Sequence, residues 1–186
     1  MTSKKYIKNY DLVETEDDKG RVKKTVVYHG DYFHLNYEES QIKKFKWEFI
    51  LLFVALLALH ISAGLVNNPG LNQLYTALPY TASFFPLIFL AAGILRIPYK
   101  KGPYRIEEVD LSYQRIVNTS RFYLILMSIG VLGILIYLIF VSNVQTLGRE
   151  AIYISMVLGA AFLVWIIFQK ATKITFEKEE TPINSE

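Results

Sequence analysis

The sequence contains no cysteine. That absence excludes disulfides, thiolate metal sites, iron–sulfur clusters and a cysteine nucleophile, and it leaves the redox compartment open. There are only three histidines, and no two of them are spaced as a ligand pair on a helix face. The spacing His-x-x-x-His, a glycine-rich phosphate loop, an acidic pair within an apolar run and a Ser/His/Asp set at plausible depth are all missing. The net charge is only +3, too small to argue for nucleic acid. Nothing at the ends matches a myristoylation or prenylation pattern. A cleavable signal peptide is not expected, because the first apolar run begins only at Trp47, behind a polar stretch.

Most striking in what remains is segregation: 52% of the residues are hydrophobic and the mean hydropathy is +0.26, yet 20% are charged. Between Trp47 and Gln169 the apolar residues form four blocks, and nearly all the charge lies outside them. One soluble globular domain, intrinsic disorder and a disulfide scaffold are thereby disfavoured. The blocks run about 47–66, 74–97, 122–141 and 151–168. Each matches the ~20 residues that cross ~30 Å of hydrocarbon as a helix. None alternates strictly, which argues against barrel strands, and a helix satisfies its own backbone in lipid. The fold class expected is an all-α integral membrane protein with four transmembrane helices arranged as two hairpins.

The connections alternate short and long. Asn67–Asn72 reads as a tight turn in which Pro69 presets φ and Gly70 accepts a positive φ. Residues 142–149 form a second short turn, and 98–121 a long polar linker. Of the 20 basic residues, ten precede Trp47, six lie between Arg96 and Arg121 and three follow the last block, leaving only Arg149 in a short turn. The positive-inside rule then places both termini and the linker in the cytoplasm of a cell-membrane protein. Trp47, Tyr99, Tyr123 and Trp165 are expected as inner interfacial anchors, Tyr75 and Tyr153 as outer ones. The two basic-to-basic hairpins, Lys46–Arg96 and Arg121–Lys170, are similar in length; a parallel internal repeat is one reading, and a chance likeness of two helical hairpins the favoured one.

Outside the blocks, residues 1–36 predict a small β-hairpin, with strands over Tyr6–Thr15 and Val22–Leu35 and a turn at Glu16–Gly20. A third strand is expected over 172–177, in the tail 170–186, where Lys173–Glu177 alternates at period two. Such support matters because a lone hairpin is marginal in water. Asn36 to Glu39 reads as a capping box that starts a lead-in helix running straight into the first span. In the linker, Ile106, Val109, Tyr113, Ile116 and Val117 make one stripe opposite Glu107, Glu108, Asp110, Gln114 and Asn118, hence a cytoplasmic amphipathic helix.

Three sets of candidate functional residues follow. His60 is the only ionisable residue deep in a block, either hydrogen-bonded structurally or serving a ligand or proton role. With Thr76, Pro79, Tyr80, Thr81, Ser83 and Pro86 of the second block it forms a candidate ligand or pore wall, the prolines kinking that helix. The small residues Ala58 and Ser62, Gly130 and Gly133, Ser155 and Gly159 permit close helix packing or an oligomer interface. Lys43, Lys44 and Lys46, with Lys100, Lys101 and Arg105, form basic clusters expected to contact anionic headgroups at ~1 kcal/mol each. His29 and His34 point to opposite faces and read as surface histidines. Asn118-Thr119-Ser120 matches a glycosylation pattern but is expected in the cytoplasm. No metal or cofactor is expected.

The function expected is therefore that of a non-enzymatic accessory or scaffold subunit, whose sheet and amphipathic helix mediate protein or self association. The alternative is a small oligomeric transporter or channel. A lipid-modifying enzyme using Glu48, His34 or Glu107/Glu108 has no supporting spacing.

Overall fold

The computed structural model describes residues 4–16, 22–141 and 147–179. Four helical rods are long and apolar enough to cross a membrane: 39–65, 74–95, 106–140 and 147–172. The turn expected at Glu16–Gly20 and most of that at 142–149 fall outside the described residues.

A 3₁₀ segment, Lys4–Asn9, leads into β1 (Tyr10–Glu16), which pairs antiparallel with β2 (Val22–Tyr28) in the register Tyr10↔Tyr28 and Leu12↔Val26. The strand expected from Tyr6 therefore starts only at Tyr10. The strand expected over Val22–Leu35 is also two strands. It breaks at Gly30-Asp31, where the Tyr28 hydroxyl donates back to the Asp31 carbonyl at 2.9 Å, and resumes as β3 (Tyr32–Leu35). β3 sits in a separate sheet, between β4 (Tyr104–Arg105) and β5 (Phe176–Glu179). The carboxyl-terminal strand thus forms, shifted by a few residues, but on β3 rather than on the first hairpin. The shift has a cause: the last helix continues to Thr172, and Ile174 turns inward into the core.

The first long helix, α1 (Glu39–Leu65), runs without interruption from its polar lead-in. Its N-cap is Glu38, not Asn36: the Glu38 N–H donates to the Gln41 side chain at 2.9 Å, while the Asn36 amide donates to Glu177 on β5 at 2.6 Å. The returning rod is split into α2 (Leu74–Ala82) and α3 (Phe84–Leu95) at Ser83. The break falls three residues before Pro86, whose ring crowds the carbonyl four residues back and supplies no N–H for it. The turn at Pro69–Asn72 is 3₁₀, with the Asn68 side chain accepting from Leu71 N–H. Gly70 does not adopt a positive φ; it is glycine because a Cβ would collide with Ile134, Glu150 and Tyr137.

The linker stripe is not an independent helix. α4 (Ile106–Val109) passes through one π turn, Asp110–Gln114, directly into α5 (Arg115–Phe140). The π turn inserts an extra residue, and Tyr113, Ile116 and Val117 of the expected stripe are all buried. α6 (Leu147–Thr172) closes the bundle.

Every helix begins or ends at the sheets on the same side, so the chain goes away along α1, back along α2–α3, away along α5 and back along α6. α6 packs chiefly on α1 and α5, and α2–α3 pack chiefly on α5. The buried residues follow a heptad spacing. In α5 the seam runs through Ile116, Ser120, Tyr123, Met127, Gly130, Ile134 and Tyr137, with Val117 and Gly133 buried beside it; in α6 it runs through Glu150, Tyr153, Val157, Ala160, Val164, Ile167 and Ala171. Steps of three and four keep one seam facing its neighbours, as in left-handed coiled coils. The outer faces are no more polar than the seams: Leu51, Ile88, Ile125, Leu132 and Phe162 are exposed, whereas Lys46, His60, Ser83, Ser120 and Glu150 are buried. Of the expected interfacial aromatics, Trp47, Tyr75, Tyr99 and Trp165 are exposed, but Tyr123 and Tyr153 lie in the core.

Candidate functional site

His60 is completely buried where α1 faces the break between α2 and α3. Ser83 donates its hydroxyl to the Tyr80 carbonyl at 2.5 Å and therefore offers lone pairs to His60 Nε2, 3.1 Å away. Nε2 then carries the ring proton. Nδ1 is left as the acceptor, and the Tyr123 hydroxyl lies 3.1 Å from it. The Tyr80 hydroxyl donates to the His60 backbone carbonyl at 2.5 Å, and the two rings stack with centroids 4.6 Å apart. Phe84 closes the remaining side edge-on. An uncharged imidazole satisfies both ring nitrogens, so α1, α2–α3 and α5 are joined by one fully paired polar network.

Three of the other wall residues lie near that network without joining it. Pro79 has no N–H to offer the Tyr75 carbonyl, which instead faces Gly133; a Cβ there would stand 3.0 Å from the Tyr75 oxygen. Gly130 packs against the Pro79 ring, and Thr76 is buried beside Gly133, its hydroxyl without a partner among the described residues. Pro86 is buried at the start of α3, while Thr81 is exposed. The Gly130/Gly133 pair thus works inside the bundle, as a seat for the proline-bearing helix. Gly159 packs against Leu59 on α1; Ala58 and Ser155 are exposed, and Ser62 is half-buried.

The basic clusters divide. Lys43, Lys44, Lys100, Lys101 and Arg105 are exposed. Lys46 is only 3% exposed and does not face outward: its ammonium donates to the Leu95 carbonyl at 3.0 Å and to Ile97 at 2.7 Å, with the Tyr99 ring 3.6 Å beyond. It caps the carboxyl end of α3, a place where cations suit both the orphan carbonyls and the helix dipole.

Glu150 was passed over because it sits at the margin of the fourth block, next to Arg149. It is fully buried at the end remote from the sheets, and its Oε1 accepts from Gly70 N–H at 2.9 Å. Its position in the first turn of α6 places the carboxylate in the favourable field of that helix end. Its second oxygen and the Asn68 amide nitrogen have no partner among the described residues.

Where the sheets meet the bundle, a tyrosine set docks the amino-terminal segment onto the π turn. Tyr6 donates to Asp110 at 2.8 Å beside Lys5, whose ammonium is 2.7 Å from the same oxygen, and Tyr10 bonds Glu107. Burial, reinforced by Asp110, raises the Tyr6 pKa above its usual value; the bond to Asp110 raises that of Lys5. Burial likewise raises Tyr28, whose hydroxyl also receives the Ile106 N–H. The remaining acids are engaged separately: Glu48 with Lys170 at 2.8 Å, Glu108 with the Arg105 N–H at 2.9 Å, and Glu179 with His34 at 2.8 Å. His29 lies beside Asp11 on the hairpin. Among the described residues no three His, Asp or Glu side chains gather as a metal site. No family model, curated protein or solved structure matches the chain.

Proposed function

We propose that the protein is a multi-pass protein of the cell membrane, with both termini and both sheets on the cytoplasmic side, acting as a non-enzymatic accessory or scaffold subunit. Orientation rests on the distribution of lysine and arginine along the sequence: ten precede Trp47, six lie between Arg96 and Arg121, three follow Gln169, and only Arg149 falls in a short connection. Lys44, Lys100 and Lys101 are exposed to meet anionic headgroups there, beside Lys43, which pairs with Glu39, and Arg105, which reaches the Tyr10 hydroxyl.

One observation carries the assignment to association. The bundle core around His60 is hydrogen-bonded shut, whereas among the described residues the β1–β2 hairpin pairs with no third strand and presents the cross-strand pair Leu12 and Val26 at 70% and 60% exposure. An unpaired edge beside an apolar pair is suited to strand addition by a partner or a second copy. Cross-linking in native membranes followed by gentle detergent purification tests this. The intact chain should be recovered in a defined complex, and Leu12→Lys with Val26→Lys should release it while all four helices remain inserted. A strictly monomeric chain with nothing co-purifying rejects the reading.

The second reading, a small oligomeric transporter or channel, draws on the interrupted α2–α3 rod beside a buried histidine, since discontinuous spans line substrate sites in transporters. Flux in reconstituted vesicles that is insensitive to His60→Ala and Pro79→Ala removes it.

A further inference from the structure

A cleft of about 390 Å³ opens beside the π turn, between α3, the start of α5 and the amino-terminal 3₁₀ segment. Its floor is Phe89 of α3, which is 51% exposed. Its wall is Arg115 and Asn118 of α5, and its roof is Lys5 and Tyr6. The roof is tied down by Asp110, which takes both the Lys5 ammonium and the Tyr6 hydroxyl. Asp110 is thereby neutralised by Lys5, and Arg115 remains as the uncompensated charge: among the described residues no carboxylate lies within ion-pair distance of it. The Arg115 side chain packs against α3. Its stem lies along the Gly93 face of α3, where a Cβ would stand 3.5 Å from its Cγ.

The cleft straddles a change in chemistry. Gln114 of the π turn and Asn118 of α5 line it on the polar side with Phe89 opposite, and further along α5, past the exposed Arg121, Phe122 and Ile125 face outward. A ligand filling it needs a polar anionic head and an apolar tail. Its volume is that of a small-molecule site. We propose that the cleft binds one anionic glycerophospholipid of the inner leaflet, its phosphate on the Arg115 guanidinium and the Asn118 amide and its upper acyl chain across Phe89. A guanidinium and an amide match phosphate oxygens with directed donors, which the diffuse attraction of the exposed lysines does not provide. The inference rests on the membrane reading above.

The test is native mass spectrometry of the full chain in detergent, titrated with dioleoylphosphatidylglycerol or dioleoylphosphatidylcholine. The intact protein should retain one phosphatidylglycerol preferentially. Arg115→Gln should weaken that retention about five-fold, the weight of one basic residue at a lipid surface, while Arg149→Gln, an exposed site at the opposite end of the bundle, leaves it unchanged. Asn118→Leu provides a second variant that retains every charge, and it should weaken binding as well. Equal losses in Arg115→Gln and Arg149→Gln, no loss in either cleft variant, equal retention of phosphatidylcholine, or displacement of the lipid by inorganic phosphate each overturn the proposal. Recovery of the chain in the aqueous phase without detergent would instead sink the membrane reading.

Discussion

The two helical hairpins have similar lengths and are held together differently. In the second, α5 and α6 lie side by side along complementary heptad seams, Met127 and Ile134 on one and Val157 and Val164 on the other. In the first, α1 and the broken α2–α3 rod make far less direct contact, and each packs mainly on a helix of the other hairpin. What joins them is the polar set His60, Tyr80 and Ser83, with Lys46 reaching the α3 carboxyl end. Where a helix is interrupted and packs loosely on its sequence neighbour, directed hydrogen bonds fix a geometry that seam packing fixes elsewhere. The unequal contacts also weigh against treating the hairpins as copies of one unit.

The largest way to break this contrast is His60→Ala. It removes a stacked ring and orphans the Tyr123 hydroxyl in an apolar core, and should cost about 3 kcal/mol. Val157→Ala in the regular hairpin, which only trims methyl groups, should cost about 1 kcal/mol. Reversible unfolding in mixed micelles measures both, and equal losses would erase the distinction. Next is Gly133→Leu, which drives a side chain into the Tyr75 carbonyl and Thr76; overpacking of this kind costs about 2 kcal/mol. The same substitution at Gly148, where nothing lies within 4 Å of an added Cβ, should be silent by the same measurement. Smallest is Tyr123→Phe, which leaves His60 Nδ1 unpaired but keeps the ring; about 1 kcal/mol is expected, typical of an interhelical bond between apolar helices. A null result there would place the weight of the network on Ser83 and Tyr80.

Much of the fold was legible before the structure. Long uncharged runs read as helices of spanning length, and period-two alternation after the last helix read as a strand. The buried seams were not legible. Leu51, Ile125 and Phe162 point outward and Phe49, Met127 and Val164 inward, all equally apolar, so no hydrophobic stripe separates the faces. Polar residues within the runs marked the inner face only in part: His60, Thr76 and Ser83 fall on buried positions, whereas Thr81, Ser128 and Ser155 are exposed and the serines return their hydroxyls to their own helix. Tyr123 and Tyr153 were assigned to interfaces because composition alone does not tell a tyrosine at a membrane boundary from one that supplies a core hydroxyl. Of the candidate residues, Tyr80 and Ser83 meet His60 while Thr76, Pro79 and Pro86 stay outside its hydrogen bonds; the partner on α5 and the buried Glu150 came from elements too distant in sequence for spacing to connect.

The sequence alone determined the number, length and apolar character of the helices, since these are properties of contiguous residues: a run of about twenty without charge needs no partner to be a helix in hydrocarbon. Only the tertiary structure decided which face of each helix turns inward, that β5 joins β3 rather than β1 and β2, and that Lys46 caps a helix instead of meeting solvent. Those outcomes depend on groups tens of residues apart finding one another, and the chain's local pattern holds no record of that meeting.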